Sequence, residues 1–338
     1  MTEGGARGES HLRYSFVVPA WNEEDVLLEL HARLAAVVDG LDGDSEIIFV
    51  DDGSTDRTFE ILLSVRERDP RCKIVRLSRN FGHQAAITAG LDVAAGEATI
   101  ILDADLQDPP EFVPRLIARW QEGYEVVFGV RVSREGEGFL HRLITRAFYR
   151  FLRRTADIDL PEGAGDFRLI DRRALNALRG MRERRRYVRG MVSWVGFRQV
   201  GVPYERPARH AGVGKYSVVR YSRLAFDGLS SFSDAPLRLA LAAGFAVAIA
   251  SLAGGIAAIA LKLAGVEDVP GWASLVVVLS FLGGIQLVVL AAVGIYVAGI
   301  FDEVKQRPLY VVGESRGISG PGPFVSGEAA EEWEGVTR

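Results

Sequence analysis

The chain has 338 residues, 48% of them apolar, and a formal net charge of −4, enough to bury a full α/β core and leave material for a second module. Its single cysteine, Cys72, excludes an intramolecular disulfide, in keeping with a reducing compartment. The charges are segregated, with Arg dense in HRLITRAFYRFLRR and RERRRYVRG and an acidic, Gly-rich tail after Pro308; no nucleic-acid partner is expected.

In chain order, residues 1–11 read as a disordered leader rich in Gly and Glu. The first apolar stretch, YSFVVPAW, is too short for the core of a signal peptide and holds a proline, so none is expected. From Tyr14 to about Val130, the β-rich runs SFVVPA, EIIFVDD, KIVRLS, ATIILDAD and EVVFGV alternate with helical segments such as EEDVLLELHARLAAVV. That alternation predicts a doubly wound α/β domain on a parallel sheet, whose ligands bind beyond the carboxyl ends of the strands. Strand one ends in Pro19, Trp21, Asn22 and Glu23, strand two in DDGSTD, strand three in SRNFG and strand four in DADLQD. Four polar strand ends in a row point to a site.

Within LDADLQDPPE, Asp103 and Asp105 flank one residue, which in an extended segment puts them on one side, and Gln107 adds a neutral oxygen there. Oxygen donors of this kind suit Mg²⁺ or Mn²⁺, which commonly take one or two carboxylates and complete their shell with phosphate and water. A departing diphosphate, as on a nucleotide sugar, needs such a cation. Asp108 and Glu111, beside Pro109 and Pro110, read instead as the start of a helix. The five histidines suggest no metal cluster, and His83 is given no ligand role.

Residues 139–155 carry apolar side chains on one helical face and five arginines around the other, which suits an anionic membrane surface, although the same stripe would serve a helix covering the sheet. A second interfacial helix is expected near 216–232. Two charge-free apolar stretches, Leu239–Leu261 and Leu275–Ile300, follow, giving transmembrane helices at about 237–262 and 274–300, each long enough for a hydrocarbon core of about 30 Å. Arg238 precedes the first and Lys305 and Arg307 follow the second, while the loop between holds Glu267 and Asp268, so both termini are expected in the cytoplasm. Lys262 at the outer end is accommodated by snorkelling. Residues 302–338 form a cytoplasmic tail, disordered from about 313.

The motifs VVPAWNEE, FVDDGSTDRT, RNFGHQAAITAGLD, LDADLQDPPE, GDFRLIDRRAL and RPARHAGVGKYSVVRY together resemble family 2 glycosyltransferases with the GT-A (Rossmann-like) fold. Within these, the chain is similar to the polyprenyl-phosphate glycosyltransferases, a group that includes dolichol-phosphate mannose synthases and bacterial bactoprenol glucosyltransferases with two C-terminal spans. The resemblance covers about residues 14–310. It implies inverting transfer of a hexose from a nucleotide sugar, with UDP-glucose favoured over GDP-mannose, to undecaprenyl or another polyprenyl phosphate at the inner membrane, by a homo-oligomer, a tetramer in such relatives. By the same resemblance Pro19, Ala20, Trp21, Glu23, Val50 and Asp52 hold the nucleoside. Asp103, Ala104, Asp105 and Gln107 form the metal and diphosphate site, and Arg131 contacts donor phosphate. Asp166 matches the residue usually proposed as the family's general base, the alternative being that it orients Arg168 or the sugar, since a lipid phosphate is already largely a dianion at pH 7. Arg168, Arg206, Arg209 and Lys215 bind phosphate or acceptor, and Gly214 stands where relatives carry Ser or Thr. A processive polysaccharide synthase is disfavoured, because the Gln-x-x-Arg-Trp motif is missing and two spans make no channel. The intact Asp103, Asp105, Gln107 and Asp166 count against a non-catalytic scaffold.

Overall fold

The computed structural model describes residues 12–131, 164–184, 186–205, 235–264 and 271–318. The expected leader, both interfacial helices, the outer loop at 265–270, and Arg206, Arg209, Gly214 and Lys215 lie outside the described residues. The chain divides into two compact units: Met1–Tyr149 with Ile158–Tyr216 and Arg307–Arg338, and Arg150–Asp157 with Ser217–Gln306.

The first unit is built on one eight-stranded sheet. Its centre is the expected parallel array, in which β1 (Leu12–Ala20) pairs with β2 (Asp44–Asp51) and β4 (Ala98–Ile101), and β2 with β3 (Cys72–Leu77). β1 is buried from Tyr14 onward, as a strand covered on both faces must be. Helix α1 (Leu27–Asp39) contributes Leu27, Leu30, Leu34 and Val38, a stripe at the helical period, to the core on one face. Helix α2 (Thr58–Arg68) follows β2, and α3 (His83–Val93) follows β3 and packs on β1 and β2. The packing of α3 is close enough to require Gly90: a Cβ there would lie 2.3 Å from Val17 Cγ1. After β4, Pro110–Phe112 form a single 3₁₀ turn leading into α4 (Val113–Gln121), the helix start that the two prolines predict.

The sheet departs from the all-parallel expectation in three places. β5 (Val126–Arg131) does not lie next to β4; between them runs β6 (Ala164–Asp171), antiparallel to both. Helices α5 (Arg172–Gly180) and α6 (Val188–Trp194) follow, then β7 (Gln199–Tyr204), parallel to β5 at the far edge. At the opposite edge, β8 (Val312–Arg316), read from composition as disordered tail, pairs antiparallel with β3. The correction has a physical cause: the exposed edge of β3 supplies hydrogen-bonding groups that even a polar, Gly-containing segment can meet. Tyr310, just before β8, is wholly buried, and its hydroxyl donates to Asp92 Oδ2 at 2.7 Å, which also pairs with Arg182 at 2.8 Å.

The second unit holds α7 (Ala235–Leu263, 29 residues) and α8 (Trp272–Val304, 33 residues), which pack against each other. Both are long and apolar enough to cross a membrane, and each encloses the span expected from the sequence. Phe245, Leu252, Phe281 and Leu287 project outward, a surface that suits hydrocarbon better than water.

Tyr310→Phe removes a buried hydrogen bond to a carboxylate and is expected to lower stability by about 1–2 kcal/mol. A thermal or denaturant midpoint of the full chain checks this, and an unshifted midpoint would mean that the last strand holds without it.

Candidate active site

The loops beyond β1, β2 and β3 are laced together by their own polar groups. Asn22, at φ 55°, donates its N–H to Ser54 Oγ at 3.0 Å and accepts from the Thr55 N–H at 2.9 Å, and Glu23 N–H donates to Thr58 Oγ1 at 2.8 Å. Asn tolerates that left-handed backbone better than most residues. Asp52 accepts from the N–H groups of Phe81 at 2.7 Å and Gly82 at 2.9 Å, which binds the loop after β3 to the end of β2. Burial raises its pKa, against those two hydrogen bonds. Gly53 lies between these loops at φ 66°, where a Cβ would stand 2.4 Å from the Arg79 carbonyl carbon. Of the residues expected to hold a nucleoside, Pro19, Ala20 and Val50 are buried at strand ends, whereas Trp21 is 52% exposed beside them.

The DADLQD segment leaves β4 in a tight turn. Asp105 Oδ1 accepts from the Gln107 N–H at 3.0 Å, an Asx turn, and buried Leu106 sits at φ 57°. A non-glycine residue in that conformation costs about 1–3 kcal/mol and is characteristic of functional loops. The antiparallel pairing of β4 with β6 runs Ala98 to Asp171 through Ile101 to Arg168. Continued past Leu102, the register sets Asp103 opposite Asp166.

These two carboxylates, Asp166 buried and Asp103 partly exposed, meet different environments. Asp166 Oδ1 accepts from Arg189 Nε at 2.7 Å and Oδ2 from Arg189 Nη2 at 2.9 Å, with His83 Nε2 3.3 Å from Oδ2. Burial acts to raise the Asp166 pKa, but the bonds from His83 and Arg189 and the charges of Arg189 and Arg168 outweigh it and hold the group far below the usual carboxylate range. Asp103 is pushed up to about 6 by burial, an effect that His83 opposes and the neighbouring carboxylates of Asp108, Asp166 and Asp105 reinforce. Its Oδ1 is buried without a hydrogen-bond partner and lies 3.5 Å from His83 Nε2. An unsatisfied carboxylate oxygen next to Asp105 and the nearly buried Gln107 is a donor set that fits a hard divalent cation. Ala104, also buried, fills the turn between the two aspartates.

The structure revises two of the sequence readings. Asp108 is more than a helix-start charge: it is fully buried and accepts from Tyr204 Oη at 2.6 Å. Glu111, its supposed companion, instead accepts two 2.8 Å bonds from Arg33. Arg168 cannot reach out to a phosphate, being 3% exposed with its Nη2 turned back onto the Gly165 carbonyl at 2.7 Å; burial pulls its pKa down to about 10. Arg131 ends β5, donates Nε to Tyr204 Oη at 3.3 Å, and lies so close to Gly165 that a Cβ there would be 2.9 Å from its Nη2. Tyr204 therefore links Asp108 to Arg131.

Arg189 was not among the residues singled out from the sequence, although it sits in the Arg-dense RERRRYVRG run. It enters the site because α6 begins there, held by the Val188 N–H donating to Gln84 Oε1 at 2.9 Å. His83, not expected to act as a ligand, bridges the two carboxylates from the first turn of α3.

Comparison with known proteins agrees with this architecture. The family model described as Glycosyl transferase family 2 matches residues 15–179. The uncharacterized glycosyltransferase YkcC of Bacillus subtilis (strain 168) is 46% identical over 308 residues, covering 91% of this chain and 95% of that protein. The SfII prophage-derived bactoprenol glucosyl transferase of Shigella flexneri is 36% identical over 304 residues, covering 90% and 98%. The bactoprenol glucosyl transferase of Shigella phage SfV is 36% identical over 301 residues, covering 89% and 98%. The chain belongs to glycosyl transferase family 2, and its first unit has the GT-A fold.

Asp166→Asn leaves the guanidinium groups of Arg189 and Arg168 without their carboxylate. Loss of a buried partner and displacement of Arg189 are expected to cut glycosyl transfer by about 100-fold or more. Because a carboxylate held this far down is a poor proton acceptor, the residual pH–rate profile should keep every limb of the parent profile. A limb that disappears with the substitution would restore the general-base role.

Proposed function

We propose that this family 2 glycosyltransferase moves a hexose from a nucleotide sugar, UDP-glucose in preference to GDP-mannose, onto the phosphate of undecaprenyl or a similar polyprenyl phosphate, with inversion. The observation that carries the reading is the joint presence, in one chain, of the Asp103–Asp166 strand-end pair and two helices apolar enough to cross a membrane. Relatives named as bactoprenol glucosyl transferases, matched over nearly their whole length, support the acceptor class. A lipid phosphate stays at headgroup height, so an anchored enzyme meets it where it lies. The reading places the protein in the inner membrane with the sheet unit and both termini cytoplasmic, as a homo-oligomer.

In this reading Trp21 and the strand ends carrying Pro19, Ala20, Val50 and Asp52 receive the nucleoside, with Glu23 beside them. Asp103, Asp105 and Gln107 would hold Mg²⁺ or Mn²⁺, which when bound would neutralise charge on the diphosphate. Arg131, fixed by Tyr204, faces donor phosphate, and Arg206, Arg209 and Lys215 receive acceptor phosphate. One acceptor oxygen attacks the anomeric carbon as the bond from that carbon to the diphosphate breaks and the nucleoside diphosphate departs. A phosphate monoester has a second pKa of about 6 and is mostly a dianion near neutral pH. No proton need be removed from it, and Asp166 acts by orienting its neighbours.

Membranes containing the protein, incubated with undecaprenyl phosphate and a panel of nucleotide sugars including UDP-glucose and GDP-mannose, are expected to yield one polyprenyl-phosphate hexose, identified by mass. Product from GDP-mannose alone would reassign the donor, and product from none of them would remove the reading. Asp105→Ala, and chelation of divalent cations in the parent protein, should each abolish transfer while the fold persists. Undiminished transfer in both would eliminate the metal.

A further inference from the structure

Arg189 has more hydrogen-bonding capacity than Asp166 uses. Its Nε and Nη2 take both carboxylate oxygens, while Nη1 meets no partner among the described residues and the side chain remains 31% exposed. Behind it lies Arg168, essentially buried, with Nη2 on the Gly165 carbonyl and Nε unsatisfied. Two guanidinium groups thus share the single carboxylate of Asp166. The other nearby carboxylate, Asp103, makes no hydrogen bond through its buried Oδ1 and belongs to the loop proposed to hold the cation. Once a cation occupies that side, the buried Arg168 and the partly exposed Arg189 together carry surplus positive charge. Leaving a buried charge uncompensated is costly, so the arrangement is suited to receiving an anion.

We infer that Arg189, aligned by Asp166, is a subsite for the phosphate monoester of the acceptor. A guanidinium pinned along one edge by a carboxylate keeps its other N–H groups fixed in direction, and that planar fork matches phosphate oxygens better than a flexible ammonium. Preorganisation of this kind places the attacking oxygen without paying to order the cation at the moment of reaction. The acceptor is preferred over the donor because the diphosphate is already provided for by the DADLQD loop and by Arg131 at the end of β5, whereas Arg189 is on α6 and is tied to Asp166. His83, 46% exposed and also bonded to Asp166, borders the same subsite. The inference rests on the reading that the acceptor is a polyprenyl phosphate.

The test is steady-state transfer by the full-length protein in membranes, using the donor found in the panel and either undecaprenyl phosphate or farnesyl phosphate as acceptor. Arg189→Ala is expected to raise KM for both acceptors at least tenfold while donor KM stays within twofold. Arg189→Lys, which keeps the charge but not the fork, should recover only part of the loss. Retained binding of UDP or GDP, whichever the donor carries, shows that the variants are folded; should the alanine variant not fold, the lysine variant alone decides by the same split. A rise in donor KM instead would hand the subsite to the diphosphate, and a fall in kcat with both KM values unchanged would reduce Arg189 to a prop for Asp166. Either result overturns this assignment while leaving the proposed function intact. A parent protein that transfers to no polyprenyl phosphate would overturn the proposed function and this assignment with it.

Discussion

Two aspartates face each other across the ends of neighbouring strands, and most of the site follows from having to make that tolerable. Like charges directly opposite on adjacent strands repel, and burial strengthens the repulsion by removing solvent screening. The register of β4 on β6, continued beyond its last pair of Ile101 with Arg168, sets the opposition. Relief comes from three directions: Arg189 from the start of α6, His83 from the start of α3, and Arg168 from β6 itself. The relief is uneven. Asp166 has both guanidinium groups and the His83 imidazole near it, while Asp103 keeps a buried oxygen with no hydrogen-bond partner, an asymmetry that suits one carboxylate to anchoring and the other to a cation.

The same device recurs on the other side of the loop. Asp108 is buried and accepts from Tyr204, whose hydroxyl in turn accepts from Arg131. The tyrosine holds cation and carboxylate apart yet in line, so Arg131 is fixed without its charge being cancelled by direct contact. Farther along the sheet, Asp52 spends both oxygens on backbone N–H groups of the loop after β3. That loop leads directly into His83, so a carboxylate at the end of β2 helps set the position of a side chain beside Asp166. The strand ends form one connected polar framework, rigid because each buried charge is tied to a neighbouring loop.

How much of this could be read from the sequence depends on whether a residue's role is local. The five parallel strands announced themselves through β-branched runs between helical segments, and Asp103 and Asp105 through their spacing at a strand end. β6 was harder to recognise, because Asp166 and Arg168 interrupt its apolar pattern and drew attention as a motif. Its antiparallel insertion beside β4 is a tertiary choice that no local period encodes. β8 is polar and contains Gly313; only the unpaired edge of β3 makes it a strand. Arg189 was hidden for a different reason, since one arginine in RERRRYVRG looks like the next until the fold selects the one at the helix start. Arg168 misled in the opposite sense, because a charge beside Asp166 in sequence points inward once the segment is a central strand.

The pairing also bears on how Asp166 takes part in the chemistry. A general base must be able to hold the proton it accepts, and a carboxylate bonded to Arg189 through both oxygens, with His83 and Arg168 close by, has had that ability removed. An alcohol acceptor would make such an arrangement self-defeating. A phosphate monoester does not, because its nucleophilic oxygen is already charged, and the remaining barrier lies in bringing one dianion up to a diphosphate ester. That step calls for fixed positive charge placed close to, but not neutralised by, the groups that hold it. An aspartate that sacrifices its basicity to align an arginine provides such a charge, and the site is more consistent with a phosphate nucleophile than with a hydroxyl one.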